Sequence, residues 1–495
     1  MRRILPILSI VAFGSPAFAQ AVDAQGAVQL GETLSRYVGK TAFDKGIVKV
    51  APDGDAYRID FDFNRIAGLF PPQDMVRYEV SPYGLRVKPL ADGTWQVDGA
   101  LSPDGWVEIS QPPVKQRFQL TVSDGKMNGV FDPALGAFSS ATGSHSGIKL
   151  VTEAPTGRGE TNYGAGTVTV TGTKSANGGI DFTSKQVMAD FVQSQNVVDP
   201  DSNTNFPMEM KAASLSLDAN GTGYKWGSLL DILAFAVANT DEAKVKANQA
   251  ELKSLLSAAL PLWEHVDGTY RFSDLSVTTP VGIFRTGKAG VSVGMDGIRQ
   301  NGSLGYAIKL SKLEVASFFL PAWAPALIPT EVDLNFSGTN LNLEEPARKM
   351  IEAFDLNQNP PVPASVTDAI AAEFKNNPPK IVLTKSTIGN ADTQFAVEGE
   401  MVFPDGKPVM NATIEAAGFD KAMATLQAAS PTDQQVAEML PALAMVKGFG
   451  KALPDGRLQW AVNVRADGSV FVNGTMIKPA DPVPMPAPPQ TPAPQ

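Results

Sequence analysis

The chain has 495 residues, a formal charge of -10 and no cysteine. This length allows two or three domains, or one elongated one. The acidic balance argues against nucleic acid as a partner and against charge-driven docking on anionic lipid, because both contacts need a basic surface. Without cysteine, disulfides are excluded and the fold depends on its own core.

The first twenty residues predict a secretory signal peptide. Arg2 and Arg3 form a basic start, an apolar core begins at Ile4, and an Ala-Phe-Ala box ends at Ala19. This order is typical of a signal that is removed during export. We therefore expect residues 1–19 to be cleaved, and the mature protein to be periplasmic without a transmembrane segment.

Most of the remaining chain predicts antiparallel hairpins. Asp-Gly or Asn-Gly pairs recur from Lys49 to Gly474 beside alternating apolar and polar residues, and such pairs accept the positive φ angles of tight turns. The stretches are "APDGDAYRIDFDF", "ADGTWQVDGA", "SPDGWVEIS", "VSDGKMNGVFD", "SANGGIDF", "DANGTGYKW", "RQNGSLGYAIKL", "FPDGKPVMNATIEA" and "RLQWAVNVRADGSVFVNG". In the last, Leu458, Trp460 and Val462 share one face, which indicates a sheet with one buried side.

Five segments predict helices between these hairpins. They are residues 227–239, residues 241–266, "LEEPARKMIEAFDL", "PASVTDAIAAEFKN" and "PTDQQVAEMLPALAMVKGFGKAL". In residues 241–266, Asp241 is a suitable N-cap, and Leu252, Leu255 and Ala259 belong to one apolar stripe.

The predicted fold class is mainly β with α insertions (α+β). We expect a long, strongly twisted antiparallel sheet or trough built of hairpins, with a few amphipathic helices packed on it. Residues 20–357 are expected to form a β-rich domain with a helical insertion at 227–266. Residues 358–478 are expected to be a mixed α+β portion of the same elongated unit, and the proline-rich residues 479–495 a disordered tail.

The two histidines offer little chemistry. His145 stands in "GSHSG", where a hydrolase nucleophile elbow would need serine in the middle and a strand-turn-helix context, so we expect a polar loop. His265 is expected at a helix end, where a positive charge suits the helix dipole. With no cysteine and two distant histidines, a zinc site is disfavoured.

The acidic residues do not predict a site either. "DPDSNTN" at 199–205 resembles the opening of a calcium loop, but Thr204 and Met210 stand where that loop needs Gly and Glu, so an exposed loop is expected. Asp60 and Asp62 share one face of a strand, and acid-base work by them would require a cleft. The sequence therefore predicts no catalytic residue, no metal site and no cofactor, and an enzyme is the weakest of the possible functions.

Three longer stretches carry a family resemblance: "NGVFDPALGAFSSATGS", "FFLPAWAPALIPTEVDLNFSGTNLNLEEP" and "GRLQWAVNVRADGSVFVNGTMIKP". They resemble uncharacterised exported alphaproteobacterial proteins catalogued as domain of unknown function 2125, over nearly the whole mature chain. The closing strands are also similar to the β-rich AsmA-like envelope proteins, some of which carry lipid along a long curved sheet. The resemblance implies a periplasmic location and an extended sheet, and it assigns no catalytic residues. Unlike the AsmA-like proteins, this chain is expected to have no membrane anchor beyond a cleaved signal.

The apolar segment "FFLPAWAPALIP" (318–329) is the candidate binding site. It is too short to span a membrane, and its three prolines interrupt any helix. We expect it to form a long connection between two strands. Three interpretations remain open: a loop that plugs an end of the core, a lid on an apolar groove, and a segment that inserts into a membrane surface. The candidate ligand-binding residues are Phe318, Phe319, Leu320, Trp323, Leu327 and Ile328.

Two functions from different classes follow from these patterns. The first is a non-enzymatic periplasmic protein that binds an apolar small molecule or lipid along a curved β-sheet. The alternative is a structural or scaffold envelope protein, whose unknown protein partner binds the sheet edges or the acidic surface. The first requires the inward residues of successive strands to form one continuous apolar surface that the protein does not fill itself.

Overall fold

The structure, a computed structural model, describes residues 22–69, 75–111, 114–198 and 204–481. The predicted signal peptide and residues 482–495 of the predicted tail lie outside the described residues. Within these ranges the chain is mainly β, with 26 strands in one large antiparallel sheet and nine α-helices. The predicted α+β class is therefore confirmed at this level.

The first twelve strands form two branches of the sheet. In spatial order, branch A contains β1 (Val48–Asp53), β2 (Ala56–Phe61), β4 (Tyr83–Pro89), β5 (Trp95–Ala100), β8 (Lys126–Asp132), β9 (Ala137–His145) and β12 (Gly166–Lys174). Branch B contains β3 (Val76–Val80), β6 (Asp104–Gln111), β7 (Val114–Ser123), β10 (Gly147–Ala154) and β11 (Gly157–Tyr163). Both branches meet at β13 (Ile180–Val198), whose first half pairs with β12 and whose second half pairs with β11.

The remaining strands continue the sheet from β13. They are β14 (Asn205–Tyr224), β15 (His265–Thr279), β16 (Gly282–Asp296), β17 (Gly302–Ser311), β18 (Glu314–Ala316), β19 (Glu331–Leu341), β20 (Lys380–Gly389), β21 (Gln394–Val402), β22 (Val409–Ala417), β23 (Lys451–Ala452), β24 (Leu458–Val464), β25 (Val470–Val472) and β26 (Thr475–Lys478). Most of these strands pair with the next strand in the chain. The exceptions are that β18 pairs with β16 and not with β17, that β19 pairs with β17 and not with β18, and that β22 pairs with β24 and not with β23.

A line of interruptions crosses these long strands near their middles, and we call it the crease. From β3 to β12, the chain passes five times from one branch to the other through gaps of one to three residues, such as 124–125 between β7 and β8. From β13 onward, residue pairing is interrupted at Asp190, Asp274 and Lys312, while the register is the same on both sides of each interruption. Asp124, Asp190 and Asp274 have φ near 50° and Lys312 has φ 55°. These four residues therefore adopt the left-handed conformation, which Asp tolerates better than most residues do.

The helices lie at the strand ends and between strands. They are α1 (Ala24–Val38), α2 (Lys40–Asp44), α3 (Trp226–Ala238), α4 (Glu242–Ala247), α5 (Gln249–Ala259), α6 (Glu344–Ala353), α7 (Ala364–Asn376), α8 (Phe419–Ala429) and α9 (Gln434–Phe449). The five predicted helical segments are confirmed, and Asp241 caps α4 by accepting a hydrogen bond from the Lys244 amide at 2.9 Å. The prediction for 241–266 is wrong at its end, because the helix stops at Ala259 and His265 begins β15.

The main core lies between α1 and branch A. Leu30 and Leu34 of α1 are buried at helical spacing and pack on Ile59, Val87 and other branch A residues. Asp23 caps this helix by accepting a hydrogen bond from the Gly26 amide at 2.8 Å. A smaller core joins α8 to the last strands through Phe419, Trp460 and Val472.

Three of the predicted hairpin turns are wrong. Asp104-Gly105 begins β6, Asn220-Gly221 lies inside β14, and Asp124-Gly125 joins two strands that do not pair. At these places glycine is needed for close approach and not for a turn. A Cβ on Gly105 would lie 2.5 Å from the Glu79 carbonyl, and one on Gly221 would lie 2.1 Å from the Phe182 ring.

Candidate functional site: one apolar face of the sheet

One face of the sheet carries an apolar row from one edge almost to the other. Residues paired directly across strands share a face, so the register can be followed from β2 to β25. The row is Tyr57, Val87, Val97, Gly129, Ala141, Val170, Ser184, Ala219, Gly268, Val293, Tyr306, Phe336, Leu383, Gly399, Ala412, Val462 and Val472. Only Ser184 in this row has a polar group apart from the Tyr57 and Tyr306 hydroxyls.

The neighbouring row on the opposite face is polar. It contains Arg58, Arg86, Asp98, Asn128, Thr142, Thr169, Lys185, Asp218, Thr269, Ser292, Ala307 and Asn335. Ion pairs between neighbouring strands lie on this face, as between Arg271 and Asp218. We call the two sides the apolar face and the polar face. This contrast is typical of a sheet whose polar face is solvated and whose apolar face packs against other apolar groups.

Both edges of the apolar face are covered. At the first edge, Tyr57, Val87 and Val97 are buried in the core beneath α1. At the last edge, Val472 and Trp460 are buried beside α8, and the Trp460 Nε1 donates to the Val446 carbonyl of α9 at 2.8 Å.

The middle of the apolar face is open. Tyr306 and Phe336 pair across β17 and β19 in the same row, yet each is 42% exposed. Eight further large apolar side chains of strands β14–β21 share this face and are also exposed: Phe206, Met208, Tyr270, Leu304, Val315, Ile381, Ile388 and Phe395. We call these ten residues the open patch. The alternation of faces reverses at the crease, because Met210 on one side of it and Phe272 and Ala289 on the other side pack against the same buried cluster. With this reversal, no paired Asp, Glu, Lys or Arg of these strands lies on the apolar face.

The crease is buried within this otherwise open region. Phe191, Ala212 and Leu275 form a buried cluster with partly buried Tyr163 and Phe272, and all of them belong to strands. The same line contains further buried residues, namely Thr286, Leu313 and Ser386. Strand residues of one sheet therefore bury one another along the crease.

The predicted binding segment 318–329 divides into two parts. Trp323 and Leu327 pack against the buried cluster of α8 and α9, and the Trp323 Nε1 donates to Asp433 Oδ2 at 2.9 Å. That hydrogen bond holds the pKa of the Asp433 carboxyl below its usual value. Phe318 and Phe319 are not among the residues packed on this cluster and are exposed, whereas Leu320 and Ile328 are half-buried. The structure thus keeps the six candidate residues on one connection between β18 and β19, but brings only part of them into contact with the helices.

His145 lies on the apolar face at the end of β9, opposite Gly166. Neither ring nitrogen has a hydrogen-bond partner among the described residues, and burial lowers the pKa of the imidazole. The "GSHSG" segment runs from strand to strand, which removes the strand-turn-helix context of a nucleophile elbow. His145 therefore lies on a strand, where burial favours the neutral ring, and not in the expected polar loop.

His265 was expected at a helix end, and the structure places it on the polar face of β15. Its Nδ1 lies 2.9 Å from Asp296 Oδ1, and Ser303 donates two hydrogen bonds to Asp296 Oδ2. Burial acts to raise the pKa of Asp296, but the hydrogen bonds from His265 and Ser303 leave it lowered. This arrangement ties β15, β16 and β17 together at their ends.

The predicted carboxylate pair has separate partners. Asp60 lies 2.7 Å from the Arg58 Nε, and Asp62 lies 2.7 Å from the Arg65 Nε. Asp60 lines a wide cavity of about 1190 Å³ on the polar face of branch A, where several of the surrounding side chains are ion-paired. Each carboxylate is therefore paired with its own arginine.

Other candidate features give no site. Of the calcium-like string, residues 199–203 lie outside the described residues. Within the described ranges, no three His, Asp or Glu side chains converge on a possible metal position, and no helix there is long and apolar enough to cross a membrane. Comparison of the chain with protein-family models, curated proteins and solved structures gives no match. The resemblance described from the sequence stays a prediction.

Proposed function

We propose that the protein binds an apolar ligand, of the lipid acyl-chain type, along the open patch. The observation that carries this proposal is the exposure of ten large apolar side chains on one face, between two edges that helices cover. At about 40% exposure each, these side chains leave roughly 700 Å² of apolar surface open, more than the few hundred Å² typical of a monomer.

The chemistry of the patch supports an uncharged, elongated ligand. It is built from aromatic, aliphatic and methionine side chains, and the paired charged residues of the same strands lie on the polar face. An acyl chain would gain from covering the patch mainly through the hydrophobic effect.

The crease supports the predicted curved sheet or trough. Strand residues that bury one another along a line are expected where a sheet bends toward its own apolar face, because a flat sheet leaves such residues open. Together with the expected export to the periplasm, this is consistent with a non-enzymatic envelope protein that holds a lipid in a bent sheet.

Native mass spectrometry of the exported chain, purified without detergent, tests the proposal. We expect a discrete bound mass that organic extraction identifies as a lipid or another apolar molecule. An unliganded mass at concentrations where the protein stays monomeric would contradict the proposal. It would then favour the scaffold alternative, with crosslinking in the envelope as the way to find the partner.

A further inference from the structure

Three exposed apolar side chains mark one end of the long strands. Phe318 is 74% and Phe319 is 70% exposed, the highest values among the large apolar residues that the structure describes. They follow β18 directly, while Val281 lies in the adjoining turn between β15 and β16 and is also exposed. Val281, Phe318 and Phe319 are called the tip.

The tip is held in place from two sides. The Ser317 hydroxyl donates to the Val281 carbonyl at 2.6 Å, and the Phe319 amide donates to the same hydroxyl at 3.2 Å. The two phenylalanine rings contact each other with centroids 4.2 Å apart. Behind them, Trp323 is anchored on α8 and α9. These contacts fix the loops that present the aromatic rings.

The size and charge of the tip fit a lipid bilayer better than a protein partner. Its open apolar area is roughly 350 Å², well below the 800 Å² or so that each partner contributes to a stable protein interface. A bilayer needs no complementary pocket and accepts a few apolar side chains at its interface. The net charge of -10 argues against general attraction to anionic lipid, so we expect docking to depend on apolar insertion.

The tip is continuous with the open patch. Val315 of the patch lies three residues before Phe318 and pairs with Phe284 on the apolar face of β16. The charged pair of residues beside them, Arg285 and Glu314, lies on the polar face. An acyl chain that leaves a bilayer at the tip therefore meets Val315 and Phe284 without crossing a charged row.

We propose that the tip inserts into a bilayer surface, neutral phospholipid included, and that the apolar ligand passes between bilayer and open patch at this end of the sheet. The inference rests on the proposed lipid-binding function and adds the place of membrane contact and ligand entry. In segment 318–329, the exposed Phe318 and Phe319 would then contact the bilayer, and Trp323 and Leu327 would anchor the segment on α8 and α9.

Vesicle flotation of the full chain tests this inference. The vesicles are pure phosphatidylcholine, or phosphatidylcholine with phosphatidylglycerol, each at low and high salt. We expect the protein to float with both, with little salt dependence, and Phe318→Ser with Phe319→Ser to weaken partition at least about tenfold. The matched control is Met476→Ser with Ile477→Ser, two exposed apolar residues on β26, which should float as the parent does.

The possible outcomes separate the two proposals. Unchanged flotation of the phenylalanine variant, or flotation only with anionic vesicles, would overturn insertion of the tip. A ligand found by native mass spectrometry in a protein that does not float would leave the binding function standing and refute the tip. Loss of flotation in the phenylalanine variant of a protein that carries no ligand would support the tip and refute lipid binding. Equal urea midpoints for all variants would show that folding is intact.

Discussion

Shortening the paired aromatic residues of the open patch should weaken ligand binding by an amount that the structure sets. Tyr306 and Phe336 are each 42% exposed, so each offers about 80 Å² of a side-chain surface of roughly 200 Å² to a ligand. At about 25 cal/mol per Å², full coverage is worth about 2 kcal/mol per ring. Tyr306→Ser and Phe336→Ser should therefore each raise the Kd about 30-fold.

Titration with a fluorescent fatty acid measures this change directly. The control is Val187→Ser, because Val187 is also an exposed apolar strand residue but lies on the polar face, opposite Ser216. The buried part of Phe336 also contributes to folding, so its variant should lose about 2–3 kcal/mol of unfolding free energy. Circular dichroism must show that each variant is folded during titration. Equal Kd values for Phe336→Ser and Val187→Ser would refute the assignment of the face.

Three further predictions concern stability. Ile59→Ala should lower the unfolding free energy by about 2–5 kcal/mol in urea, because Ile59 is buried beneath α1; a loss below about 1 kcal/mol would contradict that core. Asp274→Gly should be neutral or stabilising and Asp274→Val should cost about 1–2 kcal/mol, since the residue has φ 50°; equal urea midpoints would argue against the left-handed crease. Burial lowers the pKa of His145, so the unfolded chain holds that proton more tightly and stability falls as the pH drops through about 6.5. His145→Leu should therefore reduce the difference in Tm between pH 8 and pH 5, and an unchanged difference would count against a buried neutral ring.

Local sequence signals predicted the elements where one segment decides its own structure. Asp241 capped a helix as expected, and the Asp-Gly pair at 467–468 forms the turn between β24 and β25. The same dipeptide failed at 104–105, because there Gly105 meets the carbonyl of a strand that is distant in sequence. Whether glycine serves a turn or a close approach depends on the pairing partner, which a local pattern does not contain.

The site was predictable only in part for the same reason. Alternation in residues 458–464 showed that one face of that strand is apolar, and the structure places Trp460 and Val462 on the covered edge of that face. The open patch lies instead around Tyr306 and Phe336, whose exposure depends on which helices reach which strands. The long-range register that joins seventeen residues into one row, and the crease that crosses it, are properties of strand pairing and not of any single hairpin.

The most direct test of the central claim is site-specific photocrosslinking of bound lipid. A photoreactive amino acid replaces Phe336 in one sample and Val187 in another, and each protein is exported, irradiated and examined by mass spectrometry for a covalent lipid adduct. Our account predicts an adduct at position 336 and none at position 187, because only the first faces the open patch. Adducts of equal yield at both positions, or at position 187 alone, would contradict a ligand that lies on the apolar face.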